Sequence, residues 1–185
     1  MKSFFKKLVM LVVAAMVMTL VPAPTPRLGP MAAGDAALGF DFGTSGARCA
    51  ALGADGSPLC DDVSLAWGAE RERTQTAADW VEALHSLLDA LPADVRSRVS
   101  RIGVSGTSAT CLLCDATTRT PSEGRGAPRM YDFSVAKQAK GDAGARALEL
   151  IGMVAPPLHV ARGASSALAK LVAWHYEEPL RPNEV

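Results

Sequence analysis

Short apolar runs that alternate with turn residues characterise the chain from Ala36 onward. The run ALGFD predicts a buried strand, GTSG a turn, and ARCAALG a second strand. Asp55-Gly56 is a signal for a tight hairpin, and PLCDDVSLA supplies a candidate third strand. Together these segments predict an antiparallel meander whose first strand, which is strongly apolar, lies inside the sheet.

Helical periodicity follows the meander. Thr76, with Asp79 three residues later, resembles a capping box, and Pro92 ends the helix. His85 is predicted to lie at the surface or at the boundary of the apolar stripe. Six residues at helical spacing form that stripe: Trp80, Val81, Leu84, Leu87, Leu88 and Leu91.

Strand and loop patterns return after this helix. RIGVS reads as a strand, Gly106-Thr107-Ser108 as a turn, and ATCLLCD as another buried strand. TTRTPSEGRGAP, rich in proline and glycine, predicts a loop.

Two helices are predicted near the end of the sequence. The first runs from about Val135 to Ile151, although Gly141 and Gly144 weaken its centre. The second is SSALAKLVAWHYEE, which Pro179 ends. Four of its residues fall on or near one side: Leu168, Leu171, Val172 and His175.

Composition limits the classes of protein. With 185 residues, 49% of them hydrophobic, the chain can form one modest domain with a real core. Its 19 basic and 19 acidic side chains cancel, which removes the charge argument for a nucleic-acid partner or an anionic membrane surface. Aromatic residues make up 5%, too few to favour a base-stacking platform.

The first thirty-four residues have the layout of a targeting leader. MKSFFKK is basic, LVMLVVAAMVMTLV is continuously apolar but short for a stable membrane span, and PAPTPRLGP breaks any helix. An uncleaved anchor and a true start at Met31 are the alternatives. We therefore expect a leader over residues 1–34, a folded domain over residues 35–185, and no stable membrane partner once the leader is removed.

Four cysteines are present: Cys49, Cys60, Cys111 and Cys114. The last two spell C-L-L-C, which a zinc knuckle or a redox pair also shows. On a strand, however, side chains at i and i+3 point to opposite faces and do not readily share a metal. Buried, reduced thiols of an intracellular protein are the expectation.

The first Gly-Thr-Ser turn follows an acid at a strand end, which suits a phosphate site. Asp41 is expected to hold Mg²⁺, directly or through water, and Gly43 allows close backbone approach. The amides and hydroxyls of Thr44 and Ser45 donate to phosphate, and Arg48 adds a charge-assisted contact. The GxxxxGK[ST] loop is absent from this position, and an ordinary hairpin turn is the alternative.

Four segments, in order, resemble the FGGY carbohydrate kinases of the actin/hexokinase/Hsp70 ATPase superfamily: LGFDFGTSGARCAALGADG, IGVSGTSATCLLCD, PRMYDFSVA and SSALAKLVAWHYEEP. SGTSAT and MYD are most similar to plant and cyanobacterial pentulose kinases. The resemblance implies an α/β, ribonuclease H-like N-terminal domain, truncated, with a mixed sheet and flanking helices. It also implies transfer of the ATP γ-phosphate to a hydroxyl of D-ribulose or D-xylulose, with ATP and Mg²⁺ as cofactors and a small-molecule sugar as substrate.

The resemblance assigns residues to the nucleotide side. Asp41 matches the magnesium-associated aspartate, and Arg48 matches a nucleotide-side arginine. The first phosphate loop corresponds to Gly43, Thr44, Ser45 and Gly46.

The second turn and the MYD segment are assigned to the sugar side. Thr107 and Ser108 are candidates for hydrogen bonds to sugar hydroxyls, with stabilisation of their own turn as the alternative. Tyr131 and Asp132 match sugar-facing positions, and a helix N-cap is the alternative role of Asp132.

The chain departs from the family's pattern in two places. Relatives place an acid and an arginine where this chain has Phe133 and Val135, which puts the local alignment or full sugar binding in doubt.

Lys170 matches a recurrent lysine of the family, and a solvated helix lysine is the expectation for it.

The resemblance covers only the beginning of a two-domain kinase. The catalytic aspartate, the second phosphate loop and the adenosine pocket would lie beyond Val185, so this chain is expected to be inactive alone. A non-catalytic remnant that binds a sugar or a partner is the alternative, and an Hsp70-like ATPase is disfavoured by the MYD segment.

A leader on an enzyme similar to the plant pentulose kinases suggests a plastid location, or the cytoplasm if translation starts at Met31.

Overall fold

The computed structural model describes residues 29–68 and 74–184. The predicted leader therefore lies outside the described residues, apart from residues 29–34. The elements below belong to the unit Ala33–Val185. No helix in the described ranges combines the length and the apolar character needed to cross a membrane.

A four-stranded mixed sheet contains β1 (Ala36–Phe42), β2 (Gly46–Gly53), β3 (Val63–Ala66) and β4 (Val99–Gly106). The strand order is β3-β2-β1-β4. The β1–β2 and β2–β3 pairs are antiparallel, and β1 and β4 are parallel. The predicted meander, with its first strand inside the sheet, is confirmed.

The two faces of the sheet differ because successive side chains of a strand point to opposite sides. Leu38, Phe40 and Cys49 are at most 2% exposed and form the core with the helices. Gly39 and Arg48, on the other face, are exposed. The hairpin at Asp55-Gly56 is also confirmed, because Gly56 has φ +82 and the Asp55 carboxylate accepts from the Ser57 amide at 2.9 Å.

Helix α1 (Ala77–Ala90) covers the apolar face of the sheet, and the short α2 (Ala93–Arg96) follows it. Both halves of the predicted Thr76–Asp79 capping box are present. The helix ends at Leu91, immediately before Pro92. Leu87 is buried and His85 is exposed, as predicted, whereas Val81 of the predicted stripe is 54% exposed.

The segment ATCLLCD is not a strand, contrary to prediction. Its backbone forms isolated bridges instead: Cys111 with Arg129, Cys114 with Pro121, and Asp115 with Glu184. Ala109, its first residue, has φ 61, a left-handed conformation that an extended strand does not adopt. Cys111 and Cys114 are half-buried, and all four cysteines are free. A short apolar run indicates that a segment is buried, but it does not indicate which strand the segment pairs with.

Three helices surround a second core: α3 (Val135–Gln138), α4 (Ala143–Val154) and α5 (Ala167–Glu177). A 3₁₀ turn, Val160–Arg162, packs with them. The predicted helix over 135–151 is interrupted because Gly141 adopts φ +56. Gly144 permits close packing, since a Cβ there would lie 1.9 Å from the Val135 carbonyl oxygen.

The most buried face of α5 consists of Ala169, Lys170, Ala173 and Trp174. Lys170 is 0% exposed, so the prediction of a solvated lysine was wrong. Leu168 and Val172 of the predicted stripe are only partly buried against the second core.

Candidate functional site

The two Gly-Thr-Ser turns lie side by side at one edge of the sheet. Strands β1 and β4 run parallel, and Phe42 is the register partner of Gly106. The Thr107 amide donates to the Phe42 carbonyl at 3.1 Å, directly before Gly43. Both turns therefore leave the sheet at its carboxyl edge, where open α/β sheets bind ligands.

The first turn is held by its carbonyl groups. Trp67 donates to the Gly43 oxygen through Nε1 at 2.9 Å and to the Ser45 oxygen through its amide at 3.1 Å. Gln75 donates from Nε2 to the Thr44 oxygen at 3.3 Å, and Trp80 Nε1 in turn donates to Gln75 Oε1 at 2.8 Å.

The backbone N–H groups of the same turn, unlike its carbonyls, are mostly available to a ligand. Gly43 N–H closes the turn onto the Gly46 carbonyl at 2.8 Å. Within residues 29–68 and 74–184, the Thr44 and Ser45 amides donate to no other group. Engaged carbonyls together with available N–H donors are the arrangement that an anion requires.

Asp41 and Arg48 form an ion pair next to this turn. Arg48 Nε lies 3.3 Å from Asp41 Oδ2, and their side chains are 68% and 43% exposed, respectively. Ser105 is the β4 register partner of Asp41, so the three residues form one row across the sheet. Because both charged groups face water, the pair contributes little stability, about 0–1 kcal/mol.

The donor set at Asp41 fits magnesium only together with a phosphate ligand. In the described part of the chain, no group of three or more His, Cys, Asp or Glu side chains is arranged to hold a metal ion. Mg²⁺ commonly takes one or two carboxylates and completes its shell with water and substrate phosphates. One accessible carboxylate beside available amides agrees with that pattern.

The second turn is closed by its own hydroxyls. Thr107 Oγ1 and Thr110 Oγ1 lie 2.7 Å apart, and the Thr110 amide donates to the Thr107 carbonyl at 3.2 Å. Ser108 is exposed. Thr107 therefore helps to stabilise its own turn, its contact with a sugar stays a prediction, and Ser108 lies at the surface.

The Tyr131–Asp132 segment precedes α3. Asp132 is exposed and does not cap the helix, whose N-cap is Ser134. Tyr131 is half-buried. Phe133 packs its ring on the Arg129 guanidinium, whose carbon lies 4.6 Å from the ring centroid.

A buried lysine connects the second turn to the MYD segment. Lys170 Nζ donates to the Ala109 carbonyl and to the Met130 carbonyl, each at 2.7 Å. Burial lowers the pKa of Lys170, whereas the charges of Cys111 and Asp132 act in the opposite direction. Sequence reasoning missed this contact, although Lys170 lies between Ala169 and Ala173 in the buried stripe of α5.

Arg129 is a second buried cation that sequence reasoning missed. Its guanidinium lies between the rings of Phe133 and Trp174, 4.6 and 4.2 Å from their centroids. Nη2 contacts Glu177 Oε1 at 2.6 Å, and Nη1 donates to the Lys170 carbonyl at 3.1 Å. Burial lowers the pKa of Arg129, and the hydrogen bond and charge of Glu177 oppose that shift.

An apolar groove of about 420 Å³ runs between α1 and β4, beside the second turn. Phe42, Leu84 and Val104 line it, and Thr107 and Thr110 border it. None of the described residues that line it is charged, so these residues offer a phosphate no opposite charge.

The domain is similar in fold to a solved sugar kinase. The crystal structure of a xyloylose kinase from Brucella ovis matches with a TM-score of 0.53 and 22% sequence identity. The match covers 77% of this chain and 29% of that one, so the chain spans less than a third of the neighbour's length. No family model matches the chain. The mixed α/β fold is therefore shown to be shared with part of that structure, and the narrower ribonuclease H-like assignment stays a prediction.

Proposed function

We propose that this chain is the N-terminal part of an ATP-dependent carbohydrate kinase whose acceptor is a pentulose, D-ribulose or D-xylulose. The observation that carries the proposal is the placement of the two Gly-Thr-Ser turns next to each other at the carboxyl edge of β1 and β4. Phosphoryl transfer needs a phosphate cradle and an acceptor site in contact, because catalysis consists mainly of positioning and charge stabilisation.

In this proposal the first turn binds the nucleotide phosphates. The Thr44 and Ser45 amides and hydroxyls donate to phosphate oxygens, and Gly43 and Gly46 keep the backbone accessible. Asp41 binds Mg²⁺, which neutralises phosphate charge when it is present. Arg48 leaves its exposed contact with Asp41 to bind a phosphate oxygen.

The second turn and the MYD segment bind the sugar. Ser108, Thr107, Tyr131 and Asp132 offer hydroxyl and carboxylate groups to sugar hydroxyls, and two of them, Ser108 and Asp132, are exposed. We further propose that the chain binds these ligands without turnover by itself, since phosphoryl transfer needs more positioned groups than the two turns and the MYD segment supply.

One observation favours a second candidate, a non-catalytic sugar- or partner-binding remnant. Phe133 and Val135 stand where the resemblance implies an acid and an arginine. Both are used in packing: Phe133 on Arg129, and Val135, 2% exposed, in the second core. An in-frame extension of the transcript that encodes a second phosphate loop would favour the kinase over the remnant.

Asp41→Asn tests the nucleotide site. Titration calorimetry of the full chain with ATP, with and without Mg²⁺, should show that the Mg²⁺-dependent gain in affinity falls by about tenfold or more in the variant. The unfolding free energy should change by less than about 1 kcal/mol, because only an exposed ion pair is lost.

Asp61→Asn is the matched control for that experiment, since Asp61 is an exposed carboxylate before β3. It should bind ATP·Mg²⁺ as the wild type does. Equal ATP·Mg²⁺ affinities of D41N and wild type, or no ATP binding by the wild type, would contradict the nucleotide assignment. Sugar-dependent ATP turnover by the chain alone would contradict the proposal that it is incomplete.

The location of the protein is a separate proposal. We propose plastid import directed by residues 1–34, and a fluorescent reporter fused to residues 1–40 tests it. A purely cytosolic signal would instead agree with a start at Met31.

A further inference from the structure

The buried ammonium group of Lys170 donates hydrogen bonds to two backbone carbonyls. It is 0% exposed on α5, and Nζ donates at 2.7 Å to Ala109 and at 2.7 Å to Met130. Removing an ammonium group from water costs free energy that an apolar side chain at the same position would not incur. The position therefore serves a purpose other than filling the core.

The two acceptors belong to separate segments. Ala109 follows Ser108 directly in the second turn, and Met130 precedes Tyr131 directly. One nitrogen atom thus joins the two stretches that the proposed function assigns to the sugar. The same stretches are joined a second time by the backbone bridge between Cys111 and Arg129, with hydrogen bonds of 3.2 and 2.8 Å.

The second turn needs stabilising contacts because one of its residues has an unfavourable backbone conformation. Ala109 has φ 61, a left-handed conformation that costs an alanine free energy and persists only where the surroundings impose it. The bond from Lys170 to the Ala109 carbonyl is a contact that imposes it. Arg129 Nη1 donates to the Lys170 carbonyl at 3.1 Å, which fixes the helix turn carrying the lysine.

We propose that Lys170 is a positioning residue of the sugar-binding wall, an inference that rests on the function proposed above. It sets the distance between the Thr107–Thr110 turn and the Tyr131–Asp132 segment, so that their polar groups meet one ligand together. It does not contact the sugar itself.

The test uses the full chain and the variant Lys170→Met, which keeps the length of the side chain and removes its donors. We expect D-ribulose and D-xylulose to bind about tenfold or more weakly, while ATP·Mg²⁺ affinity stays within about twofold. Hydrogen exchange should become faster at amides 107–110 and 130–132. Lys137→Met, which alters an exposed lysine of α3, should match the wild type in all three measurements.

The outcomes separate the two proposals. A folded K170M that binds the sugars as the wild type does, or keeps wild-type exchange at both segments, overturns the role of Lys170. A wild type that binds ATP·Mg²⁺ but neither pentulose overturns the proposed substrate, and the exchange data then still decide whether Lys170 holds the two segments. A loss of sugar and nucleotide affinity in equal measure indicates a general structural role and also overturns the inference.

If K170M does not fold, Lys170→Arg takes its place. Arginine keeps the charge, but its longer, planar guanidinium cannot reproduce the position and the bond directions of the ammonium group, so sugar affinity should still fall while the protein stays folded. Wild-type sugar affinity in K170R would overturn the inference.

Discussion

At the scale of single residues, Gly46 determines how closely the first turn lies to β3. A Cβ on Gly46 would lie 2.2 Å from the Leu65 carbonyl oxygen, which is backbone and cannot move aside cheaply. Gly39, in the neighbouring strand β1, has open space where its Cβ would be. A side chain is therefore excluded sterically at Gly46 but not at Gly39, although both glycines lie in strands.

Gly46→Ala should lower the unfolding free energy by about 1–3 kcal/mol, because the added methyl group forces β2 and β3 apart. It should also weaken ATP·Mg²⁺ binding, since the turn's carbonyls are held by residues next to β3. Urea denaturation and calorimetry measure both effects. Gly39→Ala is the control and should change stability by less than about 1 kcal/mol; an equal loss in both variants would refute the steric explanation.

Residue chemistry in the candidate site was only partly predictable. Asp41, Arg48 and the first turn were placed from a local pattern, an acid at a strand end before glycine, and the structure brings them together. The roles of Lys170 and Arg129 could not be predicted in this way, because their partners are carbonyls and rings from segments distant in sequence. A lysine within an apolar stripe is a signal that could have pointed to the first of them.

At the scale of elements, helix α1 supports the first turn through its N-terminus. The Thr76 and Asp79 side chains cap the helix reciprocally, with the Thr76 amide 2.7 Å from Asp79 Oδ2. Gln75, the residue before the cap, reaches the Thr44 carbonyl, and Trp80 of α1 holds Gln75. The cap thus orders both a helix and the residue that contacts the turn.

Thr76→Ala should therefore destabilise the domain by about 1 kcal/mol. Faster hydrogen exchange at the Trp80 amide, which donates to the Thr76 carbonyl, is the accompanying local sign. Ser86→Ala, at an exposed position within the same helix, should be neutral or slightly stabilising because alanine favours helices. Stability of T76A equal to that of S86A would show that the cap does not support α1.

Elements were predictable where their signals are local. The Asp-Gly turn, the capping box and the apolar first strand each depend on a few neighbouring residues, and each formed as expected. ATCLLCD failed because a short apolar run specifies burial but not a partner strand. Its backbone bonds instead to the loop around Pro121 and to Arg129.

At the scale of the whole molecule, a polar network closes the long loop onto the end of α5. Arg125 Nη1 contacts Glu184 Oε2 at 2.9 Å, and Ser122 Oγ donates to Glu184 Oε1 at 2.5 Å. Arg125 also donates to the Trp174 carbonyl at 3.1 Å. The Glu184 side chain is 1% exposed, so its charge depends on these partners.

The network makes stability depend on pH in the acid range. Burial opposes ionisation of Glu184, but hydrogen bonds from Ser122 and Arg181 and the charges of Arg125 and Arg181 outweigh it and lower the pKa of its carboxyl. A lowered pKa means that the folded state binds its proton less readily than the unfolded state. The stabilisation is therefore complete above the ordinary value of 4.5 and is lost as the pH falls through the lower folded value.

Glu184→Gln should lower the unfolding free energy at pH 7 by about 1–3 kcal/mol, because a charge-assisted bond to Arg125 is lost. Below pH 4.5 the difference between variant and wild type should shrink. Thermal unfolding followed across this pH range measures both. Glu123→Gln, an exposed neighbour, should follow the wild type throughout; a constant gap between E184Q and wild type at every pH would refute the linkage.

What the sequence determined by itself has a local physical cause: turn residues that favour one backbone conformation, a helix that caps its own first turn, and strands that are apolar on one or both faces. The tertiary structure decided which distant segments meet. It put the two Gly-Thr-Ser turns side by side through the parallel pairing of β1 and β4, and it buried Lys170 between two loop carbonyls. Those contacts depend on chain-wide packing, because one short stretch cannot encode the position of another.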